Sequence, residues 1–216
     1  MRVDNVNYQT IWLKEDGWVQ VIDQRHLPFN FIIRDLRTLQ DVWWAIRDMV
    51  VRGAPLIGVT ASFGIYLALM EEDQEGGLRE RLDEIAGYLL TARPTAVNLS
   101  YALDQQLTNL KKVSTLQQAR DKARETALAL KEAETKNCRL IGEHGLPLIR
   151  QVSERKKGDP VNILTHCNAG WLAFVDWGSA LAPVYMAARQ GKEVFVYADE
   201  TRPRCQGARL TAWELQ

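Results

Sequence analysis

The sequence predicts an α/β protein in which a small N-terminal β-sheet and a helical bundle precede an incomplete parallel α/β domain. Short alternating apolar runs fill the first thirty or so residues, and apolar residues recur at helical spacing after Thr38. Beyond Pro160, two apolar runs of strand length flank a crossover segment, which is typical of parallel pairing. We therefore expect two domains, residues 1–152 and 153–216.

The first predicted element is a β-hairpin. The stretch IWLKEDGWVQVIDQ contains two short alternating runs joined by Glu15-Asp16-Gly17, a composition that favours a tight turn. Pro28 ends the second run.

Helices follow, because apolar residues repeat every three or four positions between glycine and proline breaks. The predicted helices run from the cap Thr38 to near Arg52-Gly53, from Pro55 through LIGVTASFGIYLALM, from Leu78 to Leu90, from the cap Asn98 to Leu110, and from 116 to 143, ending near Gly145 and Pro147. The second is apolar on most faces, which predicts a central buried helix. It is shorter than a usual membrane span and contains Thr60 and Ser62, so we expect no membrane association.

The C-terminal part has the pattern of a strand–crossover–strand unit. The polar stretch SERKKGDP (153–160) is the best candidate for a domain boundary. VNILTH and EVFVYAD predict strands, and Trp171 to Gln190 is expected to be mostly helical, with a kink or division at Pro183. Since doubly wound sheets usually have four or more strands, we expect further strands from elsewhere, or a shortened chain.

Composition narrows the functional classes. Lys plus Arg number 27 and Asp plus Glu number 27, so no basic surplus favours a nucleic-acid partner. The three cysteines lack CxxC spacing and the three histidines lack ligand spacing, which predicts no metal site. The N-terminus is charged early and lacks a signal-peptide pattern, so a cytoplasmic location with free thiols is expected.

Polar clusters end both predicted parallel strands. They are His166-Cys167-Asn168 and the run from Asp199 to Arg202. Ligands of open parallel sheets bind beyond the carboxyl ends of the strands, so the two clusters are expected to face one crevice. A helix start after Gly170 would favour an anion there. From these residues alone, Cys167 is equally well interpreted as a working thiol or as a small apolar residue beneath a turn.

Arginine residues lie beside further predicted helix starts. Arg52-Gly53-Ala54 precedes Pro55, Arg93 lies in TARPTAVNLS, and Gln206 follows two arginines in DETRPRCQG. Amides at helix starts beside arginine suit a phosphate better than a metal. An ordinary helix end at Gly53 remains the plainer interpretation of the first of these.

Four motifs in order, RGAPLIG, ARPTAVNL, HCNAG and YADETRPRCQGARLTAWEL, resemble the methylthioribose-1-phosphate isomerases of methionine salvage. That family shares its fold with the α, β and δ subunits of eukaryotic initiation factor 2B and with ribose-1,5-bisphosphate isomerases. The resemblance implies a Rossmann-like second domain, a homodimer, and isomerisation of 5-methylthioribose 1-phosphate to 5-methylthioribulose 1-phosphate without a cofactor.

The resemblance also implies roles for residues. Cys167 would be the catalytic cysteine, and substrate contacts would fall on Arg52, Gly53, Ala54, Arg93 and Gln206. The family's catalytic aspartate lies downstream of TAWEL, so we expect a truncated chain with impaired turnover. The alternatives are a non-catalytic, initiation-factor-2B-like regulatory or sugar-phosphate-binding protein, and a ribose-1,5-bisphosphate isomerase.

Overall fold

The protein combines small antiparallel sheets, helices and one parallel strand pair, in agreement with the predicted fold class. A computed structural model describes residues 1–74 and 76–216. The strands are β1 (Arg2–Val3), β2 (Val6–Asn7), β3 (Ile11–Leu13), β4 (Val19–Ile22), β5 (Ile33–Leu36), β6 (Val161–His166) and β7 (Val194–Asp199). The helices are α1 (Leu39–Arg47), α2 (Ala54–Glu71), α3 (Leu78–Leu90), α4 (Val97–Leu110), α5 (Leu116–Lys156), α6 (Ala182–Arg189) and α7 (Ala212–Glu214). A 3₁₀ turn at Trp171–Ala173 and a π-helical turn at Gly207–Thr211 complete the elements.

Packing groups the residues into two compact units. The helical unit comprises Ile11–Arg25 and Phe31–Ala133, and the strand-pair unit comprises Met1–Thr10, His26–Asn30 and Glu134–Gln216. Helix α5 contributes residues to both. The proposed division after residue 152 stays a prediction.

The helical unit is built around α2. Strands β3, β4 and β5 form an antiparallel sheet in that order, which confirms the predicted hairpin. A capping box between Thr38 and Asp41 starts α1 at the predicted place. Two glycines of α2 allow close packing, because a Cβ on Gly58 would lie 2.6 Å from the backbone oxygen of Asn98 and one on Gly64 would lie 2.9 Å from Val42 Cγ1.

Helix α2 is buried along almost its whole length, as its apolar sequence predicted. It is 18 residues long and is, by length and composition alone, apolar enough to cross a membrane. Because 78% of that window is buried inside the protein, the helix has the environment of a core helix. Two polar side chains within this core, Ser62 and Gln106, are joined by a 2.8 Å hydrogen bond, which Gln106 donates.

In the strand-pair unit, β6 and β7 form the predicted parallel pair in register from Val161↔Val194 to His166↔Asp199. Large side chains remain exposed on this two-stranded sheet: Leu164 is 70% exposed, Phe195 54% and Tyr197 53%. The exposed apolar surface expected of so small a parallel sheet is therefore present.

Several predicted helix boundaries are wrong, and tertiary packing accounts for one of them. Helix α5 continues through Gly145 and Pro147 to Lys156, because Gly145 has no side chain to obstruct Pro183, whose Cγ would lie 2.4 Å from a Cβ there. Helix α1 ends at Arg47, well before Gly53. Helix α4 begins at Val97, which leaves Asn98 inside its first turn and not at the cap.

The crossover between the parallel strands is less helical than predicted. Only the turn at Trp171–Ala173 and helix α6 are helical between Trp171 and Gln190. Trp177 and Gly178 have φ values of 66° and 76°, and this left-handed backbone interrupts a right-handed helix.

Candidate functional site

The carboxyl ends of β6 and β7 lie side by side, as predicted. His166 is paired with Asp199 in the register of the two strands, and His166 Nδ1 lies 3.9 Å from Asp199 Oδ2. Both side chains are more than half exposed. The two polar clusters that end these strands therefore share one edge of the sheet, where parallel sheets generally bind their ligands.

Cys167 follows β6 in a left-handed backbone conformation. Its φ is 63°, its amide donates a 3.2 Å hydrogen bond to the carbonyl of Asp199, and its thiol is free and partly exposed. A residue with a side chain adopts this conformation only at an energetic cost, so its neighbours must hold it. Cys167 is therefore not fully buried, and its role as a working thiol stays a prediction.

The turn after Cys167 is tied to the C-terminal segment by hydrogen bonds. Asn168 Nδ2, which is buried, donates to Thr211 Oγ1 at 3.1 Å and to Glu214 Oε2 at 3.0 Å. Thr211 Oγ1 donates to the carbonyl of Cys167 at 2.6 Å. HCNAG and TAWEL, far apart in the sequence, therefore form one hydrogen-bonded cluster.

The turn at Trp171–Ala173 binds a carboxylate of the chain itself, that of Glu214. The Glu214 carboxylate accepts a hydrogen bond from the amide of Leu172, and its Oε2 accepts from the Tyr185 hydroxyl at 3.0 Å. The predicted anion site at a helix start after Gly170 is wrong, because the helix is a three-residue turn whose amide is occupied. Burial, together with the Glu214 carboxylate, raises the pKa of Tyr185.

Glu200 organises the loop that follows β7. Its carboxylate accepts hydrogen bonds from the amides of Thr201 at 2.7 Å, Gly207 at 2.9 Å and Ala208 at 3.1 Å. Desolvation acts to raise the pKa of Glu200, but these backbone hydrogen bonds outweigh it and lower the pKa below its ordinary value. The loop from 201 to 206 is thereby closed on itself.

Gln206 lies at the same sheet edge as Cys167. Gly207, the next residue, packs closely on the end of β7, since a Cβ at position 207 would lie 2.5 Å from the carbonyl oxygen of Asp199. The same carbonyl oxygen accepts the hydrogen bond from the Cys167 amide. Gln206 is 7% exposed, and its Oε1 has no hydrogen-bond partner among the residues that the structure describes. A buried amide oxygen without a donor is costly, so this atom is suited to accept a hydrogen bond from a ligand.

The remaining predicted site residues belong to the helical unit. Gly53 caps α2 with a φ of 92°, Ala54 is the first helical residue, and Arg52 is partly exposed beside them. Arg93 is partly exposed in the turn before α4. Because Gly58 contacts the backbone of Asn98, the beginnings of α2 and α4 lie close together, which places two sets of helix-start amides near these arginines.

Sequence reasoning assigns no role to three residues that form hydrogen bonds at the carboxyl ends of β6 and β7. Thr211 and Glu214 lie within the motif YADETRPRCQGARLTAWEL, and Glu200 lies in the polar run from Asp199 to Arg202. The one signal in the sequence is that a threonine and a glutamate occur in the otherwise apolar segment LTAWEL, where burial demands hydrogen-bond partners.

The residues that the structure describes do not group candidate metal ligands. Across residues 1–74 and 76–216, no group of three or more His, Cys, Asp or Glu side chains is placed to hold a metal ion. The chemistry available at the β6–β7 edge is that of a thiol, carboxylates, an imidazole and hydrogen-bonding amides.

The chain is similar to known proteins over its whole length. It is 49% identical to a methylthioribose-1-phosphate isomerase of Sinorhizobium medicae and 50% identical to one of Rhizobium meliloti, each over 217 aligned residues. These alignments cover 100% of this chain and 58% of each relative, so the chain spans less than two thirds of their length.

Solved structures confirm the fold. Translation initiation factor eIF-2B, subunit delta, from A. fulgidus superposes with a TM-score of 0.83 at 36% identity, covering 97% of this chain and 59% of that one. The 5-methylthioribose 1-phosphate isomerase from Pyrococcus horikoshii OT3 superposes with a TM-score of 0.81 at 31% identity, covering 96% and 57%. Residues 50–216 match the model of the Initiation factor 2 subunit family, and the chain belongs to that family.

Proposed function

We propose that this protein is an aldose–ketose isomerase that converts 5-methylthioribose 1-phosphate to 5-methylthioribulose 1-phosphate, with Cys167 as a catalytic residue. One observation carries the proposal: a partly exposed thiol and a buried, unpartnered Gln206 oxygen occur at the same edge of the β6–β7 pair. Relatives that are 49% and 50% identical bear the name of that enzyme.

The reaction explains why a thiol would be useful. The substrate is a cyclic acetal-like phosphate without a free aldehyde. Its ring must therefore open, and the ring oxygen gains a proton as its bond to C1 breaks. Hydrogen then moves from C2 to C1 while the C2 hydroxyl loses its proton and becomes the ketone. The net change is an isomerisation that needs one proton donor and one acceptor but no external oxidant. Cys167 would be one member of that pair.

Two further features support sugar-phosphate binding. Gln206 Oε1 lacks a hydrogen-bond donor among the described residues, and a hydroxyl group of the sugar is such a donor. In the helical unit, amides at the adjacent starts of α2 and α4, with Arg52, Gly53, Ala54 and Arg93, have the character of a phosphate site. We assign the substrate contacts to these residues.

The test compares turnover with binding. The purified chain would be given 5-methylthioribose 1-phosphate, with product followed by ³¹P NMR and binding by calorimetry. Cys167→Ser should lower kcat by about 10²- to 10⁴-fold, the usual contribution of a general acid or base, while the Kd stays within about threefold. Cys205→Ser is the matched control, because that thiol is also partly exposed, and it should turn over normally. Equal turnover by Cys167→Ser would refute the assignment.

A binding function without turnover is the second candidate. The structural similarity to the A. fulgidus initiation factor eIF-2B subunit, at 36% identity and a TM-score of 0.83, favours it. Saturable binding of the sugar phosphate by a folded chain that forms no product would support this candidate over the isomerase. Preferential turnover of ribose 1,5-bisphosphate would instead indicate the related isomerase.

We also propose that the protein works as a homodimer in the cytoplasm, without a cofactor. The exposed apolar side chains Leu164, Phe195 and Tyr197 support association through the strand-pair unit. Light scattering that finds a stable monomer would contradict this part of the proposal.

A further inference from the structure

The backbone of Cys167 depends on bonds from distant residues. The residue is left-handed at φ 63° without being glycine, and its carbonyl accepts a 2.6 Å hydrogen bond from the hydroxyl of Thr211. Thr211 is fully buried, and the same hydroxyl oxygen accepts from Asn168 Nδ2 at 3.1 Å. A single hydroxyl therefore contacts the two consecutive residues that form the turn.

Glu214 fixes the far side of the same turn. Its two carboxylate oxygens accept from Asn168 Nδ2 at 3.0 Å and from the amide of Leu172, and the hydroxyl of Tyr185 on α6 donates to it at 3.0 Å. Both ends of the segment 168–172 are thus held by one side chain.

Gly170 is required by this arrangement. A Cβ at position 170 would lie 1.9 Å from Glu214 Oε2 and 2.6 Å from the Tyr185 hydroxyl, so any larger residue would displace the carboxylate. The glycine of HCNAG and the glutamate of TAWEL therefore fit each other sterically as well as by hydrogen bonds.

We propose that Thr211 and Glu214 are positioning residues, which hold the Cys167 turn in its left-handed conformation and so fix where the thiol points. The inference rests on the proposed function only in taking Cys167 as the reacting group. Thr211 acts through the carbonyl of the cysteine itself, and Glu214 acts through the residues that follow it.

Thiol reactivity tests the proposal without requiring turnover. Iodoacetamide labelling of the folded chain would be followed separately for Cys167 and Cys205 by peptide mass spectrometry. Thr211→Val keeps the shape of the side chain but removes its hydroxyl, whereas Thr211→Ser keeps the hydroxyl. Loss of one buried hydrogen bond should raise the labelling rate of Cys167 relative to Cys205 by roughly three- to tenfold in Thr211→Val, and Thr211→Ser should stay within about twofold of the parent.

The Cys205 rate separates positioning from general loosening. An unchanged Cys167 rate in Thr211→Val, or equal acceleration of both cysteines, would overturn the proposal. If Thr211→Val does not fold, Glu214→Gln replaces it. The amide keeps the size of the carboxylate, but its NH₂ group faces either the Leu172 amide or the two donors Asn168 Nδ2 and the Tyr185 hydroxyl. The same selective acceleration of Cys167 is expected, and its absence would be equally contradictory.

Kinetics supply a second readout if the parent chain turns over. Thr211→Val should lower kcat by about tenfold or more with KM within about threefold, since misplacing a reacting group affects the chemical step more than binding. Rescue by Thr211→Ser supports positioning, and an equal loss in Thr211→Ser overturns it. Absence of turnover in the parent chain would count against the proposed function alone, because the labelling result does not depend on it.

Discussion

The helical unit and the strand-pair unit are stabilised in different ways. In the helical unit, α2 is buried on nearly every side by apolar neighbours, and most of it was predictable from the apolar stretch that follows Pro55. At the carboxyl ends of β6 and β7, the turn formed by the left-handed Cys167 and by Asn168 is hydrogen-bonded to Thr211 and Glu214, 43 to 46 positions away. The difference teaches that core packing follows sequence periodicity, while the candidate site depends on pairings between distant residues.

The largest expected effect is on the core of the helical unit. Leu67→Ala removes a fully buried side chain from α2 and should lower the free energy of unfolding by about 2–5 kcal/mol, from lost burial and a cavity. Leu90→Ala, at the end of α3 where the side chain is 36% exposed, should cost less than about 1 kcal/mol. Urea denaturation measures both, and equal losses would show that α2 is not the dominant core element.

The helical unit also contains a buried hydrogen-bonded cluster, which is built on a charged side chain and can be compared with the Cys167 turn. Asp23 is fully buried as a side chain and accepts hydrogen bonds from Arg25 Nε at 2.9 Å and Arg34 Nε at 2.9 Å. These partners lie only 2 and 11 positions away, unlike those of Asn168. These two polar clusters therefore differ in the sequence distance they span, although the Ser62–Gln106 hydrogen bond in the core of the helical unit also joins residues 44 positions apart.

Acid stability tests this local cluster. Burial acts to raise the pKa of Asp23, but the bonds and charges of Arg25 and Arg34 lower it below the ordinary 3.8. As the pH falls, the unfolded chain therefore takes up this proton first. The contribution of the cluster is present above the ordinary pKa of 3.8 and is lost as the pH falls through the lowered folded pKa.

Asp23→Asn should reduce the free energy of unfolding by about 2 kcal/mol at pH 7 and flatten its dependence on pH below 4. Asp16→Asn, in an exposed pair with Lys14, is the control and should change stability by less than about 0.5 kcal/mol. Chemical denaturation at several pH values measures both. A pH dependence that is as steep in Asp23→Asn as in the parent would contradict the assignment.

Elements with a strong local signal were predicted well. The hairpin, the buried α2 and the two parallel strands each follow from alternation, apolar composition or length, and each is present. The end of α5 was missed because Pro147 normally stops a helix, whereas packing of α6 against Gly142 and Gly145 favours its continuation. Local propensity cannot report such a contact.

The candidate site was predicted in part. That the polar ends of β6 and β7 would meet followed from the rule for parallel strands, and they do. The dependence of the Cys167 turn on Thr211 and Glu214 could not be predicted, since no periodicity relates residues 43 to 46 positions apart. The contacts assigned to Arg52, Gly53, Ala54, Arg93 and Gln206 stay predictions.

The smallest expected effect separates backbone strain at position 167 from the role of the thiol. Both Cys167→Gly and Cys167→Ala remove the sulfur, but only glycine adopts a φ of 63° without steric cost, so Cys167→Gly should be more stable than Cys167→Ala by about 1 kcal/mol. At Ala188, an exposed residue of α6, the preference should reverse, and glycine should cost about 1 kcal/mol. Thermal unfolding of the three variants and the parent measures both differences. If alanine is as stable as glycine at position 167, the turn is unstrained and needs no distant residues to hold it. A more stable Cys167→Gly instead means that the chain retains a cysteine where its backbone favours glycine, as expected of a working thiol.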